Sequence, residues 1–188
     1  MTKTALIPIA DGSEEIEVVC LIDVLRRAEV VVTVASVMDA REITASRGTT
    51  IVADALISDC SGQQYDLIAL PGGMPGAEHL RDCEPLIEML GEQRDAGRLY
   101  GAVCASPALA LLPHGLLAGR RATCYPSFRA ELDNATDVET ADDPVVVDGT
   151  LVTSQGPGTA IAFALRLVAL LFKDETKAQE IQERMLIT

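Results

Sequence analysis

The sequence predicts one α/β domain, built on a mostly parallel sheet with helices on both faces. Short and nearly continuous apolar runs alternate with helical patterns, which is typical of parallel strands buried on both sides. The length of 188 residues is about that of one domain. No internal repeat, low-complexity segment or long linker divides the chain, so we expect residues 1–188 to form a single domain.

Four elements are predicted in the first part of the chain. Residues 5–10 form an apolar strand. Residues 13–28 form a helix, because acids near its start and two arginines near its end complement the helix dipole. The β-branched run 30–37 predicts a second strand, and residues 49–53 predict a further one.

The middle of the chain continues the alternation. Residues 66–70 form a strand that runs into Pro71-Gly72-Gly73. Residues 84–96 form a helix that ends at Gly97, a typical C-terminal stop. Residues 99–103 form another strand, and the spacing of small and apolar residues after it predicts a helix.

The last part of the chain adds an antiparallel element. Residues 145–153 predict a hairpin, because Asp148-Gly149 suits a tight turn between two β-branched runs. Helices over residues 157–172 and 175–186 complete the predicted fold.

Cys104 lies at the predicted turn between the strand 99–103 and the next helix. Its neighbours Ala102, Ala105 and Ser106 are small, as a sharp turn requires. The first N–H groups of that helix would lower the pKa of the thiol and favour the thiolate, which is the nucleophilic form. A buried core cysteine is the alternative, since free cysteines are often buried.

Glu17 is the second candidate site residue. On the predicted first helix it shares an apolar stripe with Cys20, Leu21 and Val24. Desolvation of a carboxyl group at the head of such a stripe would raise its pKa, and the protonated group could then donate a hydrogen bond to a thiolate. The sequence equally allows Glu17 to be one more acid in an acidic first turn.

Four loop segments each follow a predicted strand. We expect them to meet at the carboxyl edge of the sheet, where sites form in open α/β folds. Three of them are rich in glycine, which lets backbone N–H groups approach a substrate, although such loops are also ordinary turns. The segments are 11–17, 71–74, 104–105 and 154–159.

Composition and charge narrow the function classes. The chain has 28 acidic and 15 basic residues, a formal net charge of -13, which disfavours electrostatic binding to nucleic acids or anionic lipids. Its first residues contain only a short apolar run, so we expect no secretory signal, no membrane span and a cytoplasmic location. The five cysteines include no CxxC pair, and we expect them to be reduced.

The two histidines, His79 and His114, form no cluster typical of a metal site. His114 follows Cys104 by ten residues, which is roughly 15 Å along a helix and too far for a catalytic dyad. His79 lies in the loop after the glycine pair, from which it could approach the site. We therefore expect neither a metal nor another cofactor.

Six short motifs occur in order along the chain. They are Gly12-Ser-Glu-Glu-Ile-Glu17, Asp23-Val-Leu-Arg-Arg27, Ser46-Arg47-Gly48, Leu70-Pro-Gly-Gly73, Ala102-Val-Cys-Ala105 and Thr153-Ser-Gln-Gly-Pro-Gly-Thr159. In this order and spacing they resemble the ThiJ/PfpI superfamily over nearly the whole chain. The resemblance is greatest to the branch of the parkinsonism-associated protein deglycase and the bacterial YajL proteins.

The resemblance implies a flavodoxin-like three-layer sandwich, usually a homodimer. It implies that Cys104 is the nucleophile and the redox-sensitive residue, and that Glu17 is its protonated partner. It also implies an oxyanion site formed by the backbone N–H groups of Gly73 and Ala105. Contacts with substrate or an anion are implied for three further residues, which are Arg27, Arg47 and Tyr125.

The activities implied by the resemblance are detoxification of dicarbonyls such as methylglyoxal and glyoxal, and repair of early glycation adducts on proteins or nucleotides.

At two positions the residue type differs from that of related proteins. The protease branch has a histidine after its nucleophile, where this chain has Ala105, which disfavours peptidase activity. Deglycase relatives often have a histidine where this chain has Tyr125, a poor general base because its ordinary pKa is near ~10.

Three functional hypotheses follow. The first is a cofactor-independent glyoxalase or deglycase in which Cys104 adds to an aldehyde and Glu17 moves a proton, with a role in oxidative and carbonyl stress. The second is a redox-sensing, chaperone-like protein whose Cys104 oxidises to sulfinic acid without turnover. The third is a small-substrate amidase or hydratase, which Ala105 disfavours. The features that suit catalysis also suit oxidation, so the sequence leaves the first two open.

Overall fold

The chain folds into three layers, with a sheet between two layers of helices. In the computed structural model, which describes residues 2–187, the strands are β1 (Thr4–Ile9), β2 (Val31–Ser36), β3 (Glu42–Thr44), β4 (Thr50–Val52), β5 (Ala55–Leu56), β6 (Leu67–Leu70), β7 (Leu99–Val103), β8 (Arg120–Ala122), β9 (Val138–Thr140), β10 (Val145–Asp148) and β11 (Leu151–Ser154). The α-helices are α1 (Glu15–Arg27), α2 (Ile57–Cys60), α3 (Gly76–Arg81), α4 (Glu84–Asp95), α5 (Arg129–Asp133), α6 (Ala160–Phe172) and α7 (Glu175–Arg184). Shorter helical turns are Pro107–Leu111, Leu112–His114, Pro126–Phe128 and Pro157–Thr159.

The central sheet has the strand order β10-β11-β7-β6-β1-β2-β5. Its strands run parallel except β10, which pairs antiparallel with β11. The chain first builds outward from β1 to β2 and β5, and then returns to β6 on the other side of β1. The switch point of the sheet therefore lies between β1 and β6, and ligands of open α/β sheets bind beyond the strand ends at such points. The predicted α/β fold with helices on both faces is confirmed.

Two aliphatic clusters fill the spaces above and below the sheet. The first lies under α1, α6 and α7 and includes the fully buried Phe163 and Leu25. The second lies under α2 and α4 and includes Tyr100 and Leu90. Tyr100 is fully buried, and its hydroxyl donates to Leu116 O at 2.9 Å, which satisfies its polar atom.

The strand predicted at residues 49–53 is confirmed as β4, which pairs with β3 in an antiparallel ribbon apart from the central sheet. One predicted element differs from the structure. The helix expected after Cys104 is a π-helical turn over Pro107–Leu111, followed by a 3-10 turn over Leu112–His114. Pro113 explains the early end, because it has no N–H to continue a helical hydrogen-bond pattern.

The hairpin prediction is shifted by one residue. Asp148 pairs with Leu151, so the loop consists of Gly149 and Thr150 rather than Asp148 and Gly149. The Asp148 carboxylate accepts the backbone N–H of Arg121 at 2.8 Å, which ties the hairpin to β8. Elements as short as β5, α2 and α3 escaped prediction, because two to six residues are too few to reveal a period.

The contact between β7 and β11 predicts opposite effects for two glycine substitutions. A Cβ at Gly101 would lie 2.5 Å from Val152 O and 3.1 Å from the Phe163 ring, whereas Gly91 in α4 has nothing within 4 Å of that position. We expect Gly101→Ala to lower the free energy of unfolding by about 1–3 kcal/mol. Gly91→Ala should raise it by about 0.5–1 kcal/mol. Urea denaturation measures both, and equal effects would contradict the packing described.

Candidate active site

Hydrogen bonds join the four loop segments at the carboxyl edge of the sheet. Glu14 N–H donates to Gly72 O at 3.0 Å, which joins the start of α1 to the loop after β6. Cys104 N–H donates to Ser154 O at 3.0 Å, which joins the end of β7 to the end of β11. The structure thus brings these segments to one place, beyond the switch point between β1 and β6.

Cys104 is the first residue after β7 and has a left-handed backbone, with φ of +64°. A non-glycine residue in this region is uncommon, and such strain concentrates at functional sites. The turn holds the side chain at the strand end, where it is only 8% exposed. Cys104 is therefore largely shielded from solvent.

The loop after β6 approaches Cys104 closely because it lacks side chains. A Cβ at Gly72 would lie 2.6 Å from Cys104 Cβ, a distance that real atoms do not reach. Gly73 adopts φ of +91°, which side chains rarely tolerate. The backbone N–H groups of Gly73 and Ala105 both contact the Cys104 sulfur and act to lower its pKa.

Glu17 reaches the same place from α1. Its backbone N–H donates to Glu14 Oε2 at 2.9 Å, which caps the helix, and its side chain is fully buried. Glu17 Oε2 accepts the Gly72 N–H at 2.6 Å. Glu17 Oε1 is buried without a hydrogen-bond partner, and the Cys104 thiol is near enough to affect its pKa without meeting hydrogen-bond geometry. An ionised oxygen in that position would be desolvated and unpaired, so the arrangement favours the protonated carboxyl group.

The pKa values of the two side chains depend on each other. Burial raises the pKa of Glu17 to about 7. Burial, followed by the charge of an ionised Glu17, raises the pKa of the Cys104 thiol to about 12. Because the groups touch, these values describe a pair that loses one proton near neutral pH and the other only in strong base. Of the two ways to place the remaining proton, the sulfur is a thiolate only when the carboxyl group holds it.

The predicted effect of the backbone N–H groups on the thiol is outweighed by burial. We expected the first N–H groups of an α-helix to lower the pKa of Cys104; a five-residue π-helical turn stands there instead, and the N–H groups of Ala105 and Gly73 act in the expected direction. Burial and the charge of an ionised Glu17 act the other way, and the pKa of the thiol is raised.

Arg27 does not join the site. It lies ten residues after Glu17 on α1, roughly 15 Å along the helix axis. Its Nε donates to Asp23 at 2.6 Å, and it lines a small cavity with Ile181 and Arg184. The resemblance suggested an anion contact there, and the structure places this arginine at the other end of the helix.

Arg47 and Tyr125 lie closer to the site. Arg47 is exposed, and its backbone N–H donates to the Glu15 carboxylate at 3.0 Å, beside the start of α1. Tyr125 N–H donates to Cys104 O at 2.8 Å. The Tyr125 ring is 42% exposed and lies against Gly156, so it forms part of the mouth of the site.

The histidines have other surroundings. His114 Nε2 lies 3.0 Å from Arg81 O, on the surface. His79 is half-buried in α3, and no hydrogen bond in residues 2–187 joins it to the Cys104 turn.

In the same residues, no group of three or more His, Cys, Asp or Glu side chains could hold a metal ion. No helix there is long and apolar enough to cross a membrane.

Two residues support the site through hydrogen bonds that the sequence analysis did not predict. Ser106 is fully buried, and its hydroxyl donates to Pro71 O at 2.5 Å, which fastens the Cys104 turn to the glycine loop. Gly72 supplies the N–H that holds Glu17, whereas only its neighbour Gly73 was assigned a role. The sequence contains two signals for these roles, which are the small polar residue two positions after the cysteine and the doubled glycine.

Comparison with known proteins matches the chain to relatives of the same architecture. It is 47% identical over 178 residues to Protein DJ-1 homolog B of Arabidopsis thaliana, covering 95% of this chain but 40% of that protein. The chain therefore spans less than half the length of that relative. It is 37% identical over 170 residues to Glutathione-independent glyoxalase DJR-1.2 of Caenorhabditis elegans, covering 90% and 89% of the two chains.

A solved structure has the same fold. The structure of oxidized DJ-1 from Toxoplasma gondii superposes with a TM-score of 0.94 at 44% identity, covering 98% of both chains. The expected flavodoxin-like sandwich is confirmed by this similarity. The model of the DJ-1/PfpI family matches residues 3–170. The sequence motifs, the sheet order and the similarity of relatives lead to one conclusion: this chain belongs to the DJ-1/PfpI family.

Proposed function

We propose that the protein is a cofactor-independent glyoxalase that converts methylglyoxal and glyoxal to hydroxy acids. The observation that carries the proposal is the buried, unpaired Glu17 Oε1 beside the Cys104 thiol. It favours a neutral acid next to a sulfur that takes the single charge of the pair. A relative that is 37% identical is named a glutathione-independent glyoxalase, which supports the same chemistry here.

In the first step the Cys104 thiolate attacks the aldehyde carbon of methylglyoxal. A C–S bond forms, and the carbonyl electron pair moves to oxygen. The N–H groups of Gly73 and Ala105, which contact the sulfur in the free protein, are near enough to stabilise that oxyanion. The Glu17 proton then passes to oxygen and leaves a hemithioacetal and a carboxylate.

In the second step Glu17 moves protons within the bound substrate. Its carboxylate removes the C1 proton and delivers it to C2, while the hydroxyl proton on the C1 oxygen passes to the C2 oxygen, so that C1 becomes a thioester carbonyl and C2 an alcohol. Two electrons pass from C1 to C2 inside the substrate, and no external oxidant is consumed. Water cleaves the C–S bond, releases lactate and restores the thiol–carboxyl pair.

Deglycation of early adducts, and a part in carbonyl and oxidative stress, belong to the same proposal. Such adducts contain the carbon that was the aldehyde carbon of the dicarbonyl, and this is the carbon that Cys104 attacks.

We also propose a homodimer, supported by the apolar Ile16 and Val19, which are 53% and 55% exposed on α1. Five free cysteines are in keeping with a reducing cytoplasmic location.

A redox sensor is the second candidate function. It is favoured by a solved relative, 44% identical, that is described as oxidized. A thiolate that attacks carbonyl carbon also reacts with peroxide, and the neutral Glu17 would donate to a sulfinate oxygen.

Substitution of the two central residues should abolish turnover of methylglyoxal. We expect Cys104→Ala to reduce kcat to background and Glu17→Gln to lower it by about 10²-fold or more, because general acid–base catalysis is lost. Cys83→Ala and Glu180→Gln are matched controls outside the site and should retain activity. Lactate formation under steady-state conditions measures all four. Full activity of Cys104→Ala would refute the mechanism.

The pH dependence of Cys104 alkylation tests the shared proton. In the wild type, the rate with iodoacetamide should rise through an inflection near the Glu17 pKa of about 7 and then level off. In Glu17→Gln the inflection should move to higher pH, because an amide is a weaker donor to thiolate than a carboxylic acid. Peptide mass spectrometry gives the rate at Cys104. A rate that climbs only above pH 10 would mean that the thiol keeps the proton.

Peroxide treatment separates the two candidate functions. We expect mild hydrogen peroxide to add two oxygens to Cys104 and to remove glyoxalase activity in parallel, with Cys83 unmodified. Intact mass and lactate formation are measured on the same samples. Background turnover in the fully reduced protein, together with the same oxidation, would favour the sensor.

A further inference from the structure

A cleft of about 220 Å³ is lined by residues that are next in sequence to segments bonded to the Cys104 backbone. It is bounded by Cys124, Arg129, Thr140, Asp142 and Gln155, and we call it the Thr140 cleft. At about 30 Å³ per water, it has room for roughly seven water molecules, or for a chain of a few carbon atoms with their substituents. The glyoxalase chemistry described above makes no use of it.

Two of the residues that line the cleft are next in sequence to residues whose backbone atoms bond to Cys104. Tyr125, whose N–H donates to Cys104 O, is the neighbour of Cys124. Ser154, whose carbonyl oxygen accepts the Cys104 N–H, is the neighbour of Gln155. The cleft therefore lies beside two segments that hold the Cys104 backbone.

The cleft offers polar groups that the protein itself leaves unused. Thr140 Oγ1 is buried and has no hydrogen-bond partner. The Gln155 amide nitrogen donates to Asp142 O at 2.8 Å, which leaves its oxygen as the acceptor facing other partners. A buried hydroxyl without a partner is costly, so a ligand that bonds to Thr140 gains what the free protein lacks.

The charges around the cleft are already paired. Arg129 forms ion pairs with Asp142 and Asp133, so a charged ligand would have to displace one of them. Burial raises the pKa of the Cys124 thiol to about 12, so this thiol is uncharged at neutral pH and adds no charge to the lining of the cleft. Hydroxyl and amide groups with an aromatic ring at the entrance suit a neutral ligand that carries several hydroxyl groups.

We propose that the Thr140 cleft is a subsite for the hydroxyl-bearing tail of a longer α-oxoaldehyde, that is, a dicarbonyl sugar whose aldehyde reacts at Cys104. The proposal rests on the glyoxalase function and names a further substrate class for the same site. Methylglyoxal has no hydroxyl group to bond in the cleft, so the subsite selects between substrates that share one reaction.

The test compares three α-oxoaldehydes in wild type and Thr140→Val. They are methylglyoxal, 3-deoxyglucosone with three hydroxyl groups, and 2-oxohexanal, which has the same carbon number and no hydroxyl group. We expect Thr140→Val to lower kcat/KM for 3-deoxyglucosone, relative to the other two, by about three- to tenfold, the effect of one lost hydrogen bond. Thr136→Val, at an exposed threonine outside the cleft, is the matched control and should change no ratio.

Each of the other outcomes would refute the subsite, and one of them would also refute the glyoxalase function. If the wild type acts on methylglyoxal but not on 3-deoxyglucosone, or if Thr140→Val leaves the ratios unchanged, the subsite is refuted and the glyoxalase function stands. If the wild type acts on neither, both fail. If Thr140→Val lowers kcat/KM for 3-deoxyglucosone and 2-oxohexanal equally, the cleft recognises the length of the carbon chain, and recognition of hydroxyl groups is refuted. Thermal unfolding serves as the check on folding, because removal of an unpaired buried hydroxyl should leave the Tm equal or higher.

Discussion

The hydrogen bond from Gly72 N–H to Glu17 Oε2, 2.6 Å long and fully buried, joins the two sides of the switch point. It connects α1, which follows β1, to the loop that follows β6. Because this bond uses one carboxyl oxygen, the other is left facing Cys104 with no partner of its own. The position of Glu17 therefore depends on a single backbone donor, whereas burial, which outweighs the lowering effect of that donor, raises its pKa.

The surroundings of the sulfur combine two opposing effects. Burial raises the pKa of both members of the pair, whereas the N–H groups of Gly73 and Ala105 favour negative charge on sulfur. One charge is tolerated in this space and two are not. The proposed proton transfer and the proposed sensitivity to oxidation both depend on that limit, because both involve the same pair of side chains.

Much of the fold and the central pair could be predicted, because their signals are local. Apolar runs and capped helices revealed β1, α1, β7 and α6, and the small residues around Cys104 indicated its turn. The raised pKa of the Cys104 thiol could not be predicted, because the π-helical turn and the depth of burial arise from tertiary packing. The Thr140 cleft left no pattern in the sequence either, since it lies among segments that are far apart along the chain.

The central position of β7 has a consequence for how the cysteine is reached. The strand has β6 on one side and β11 on the other, and its end is held by the bond from Cys104 N–H to Ser154 O. Interior strands of this kind open only when most of a domain opens, whereas edge strands and termini fray. Chemical labelling of the sulfur thus reports on the intact molecule, and its rate should follow the size and shape of the reagent rather than the ease of local unfolding.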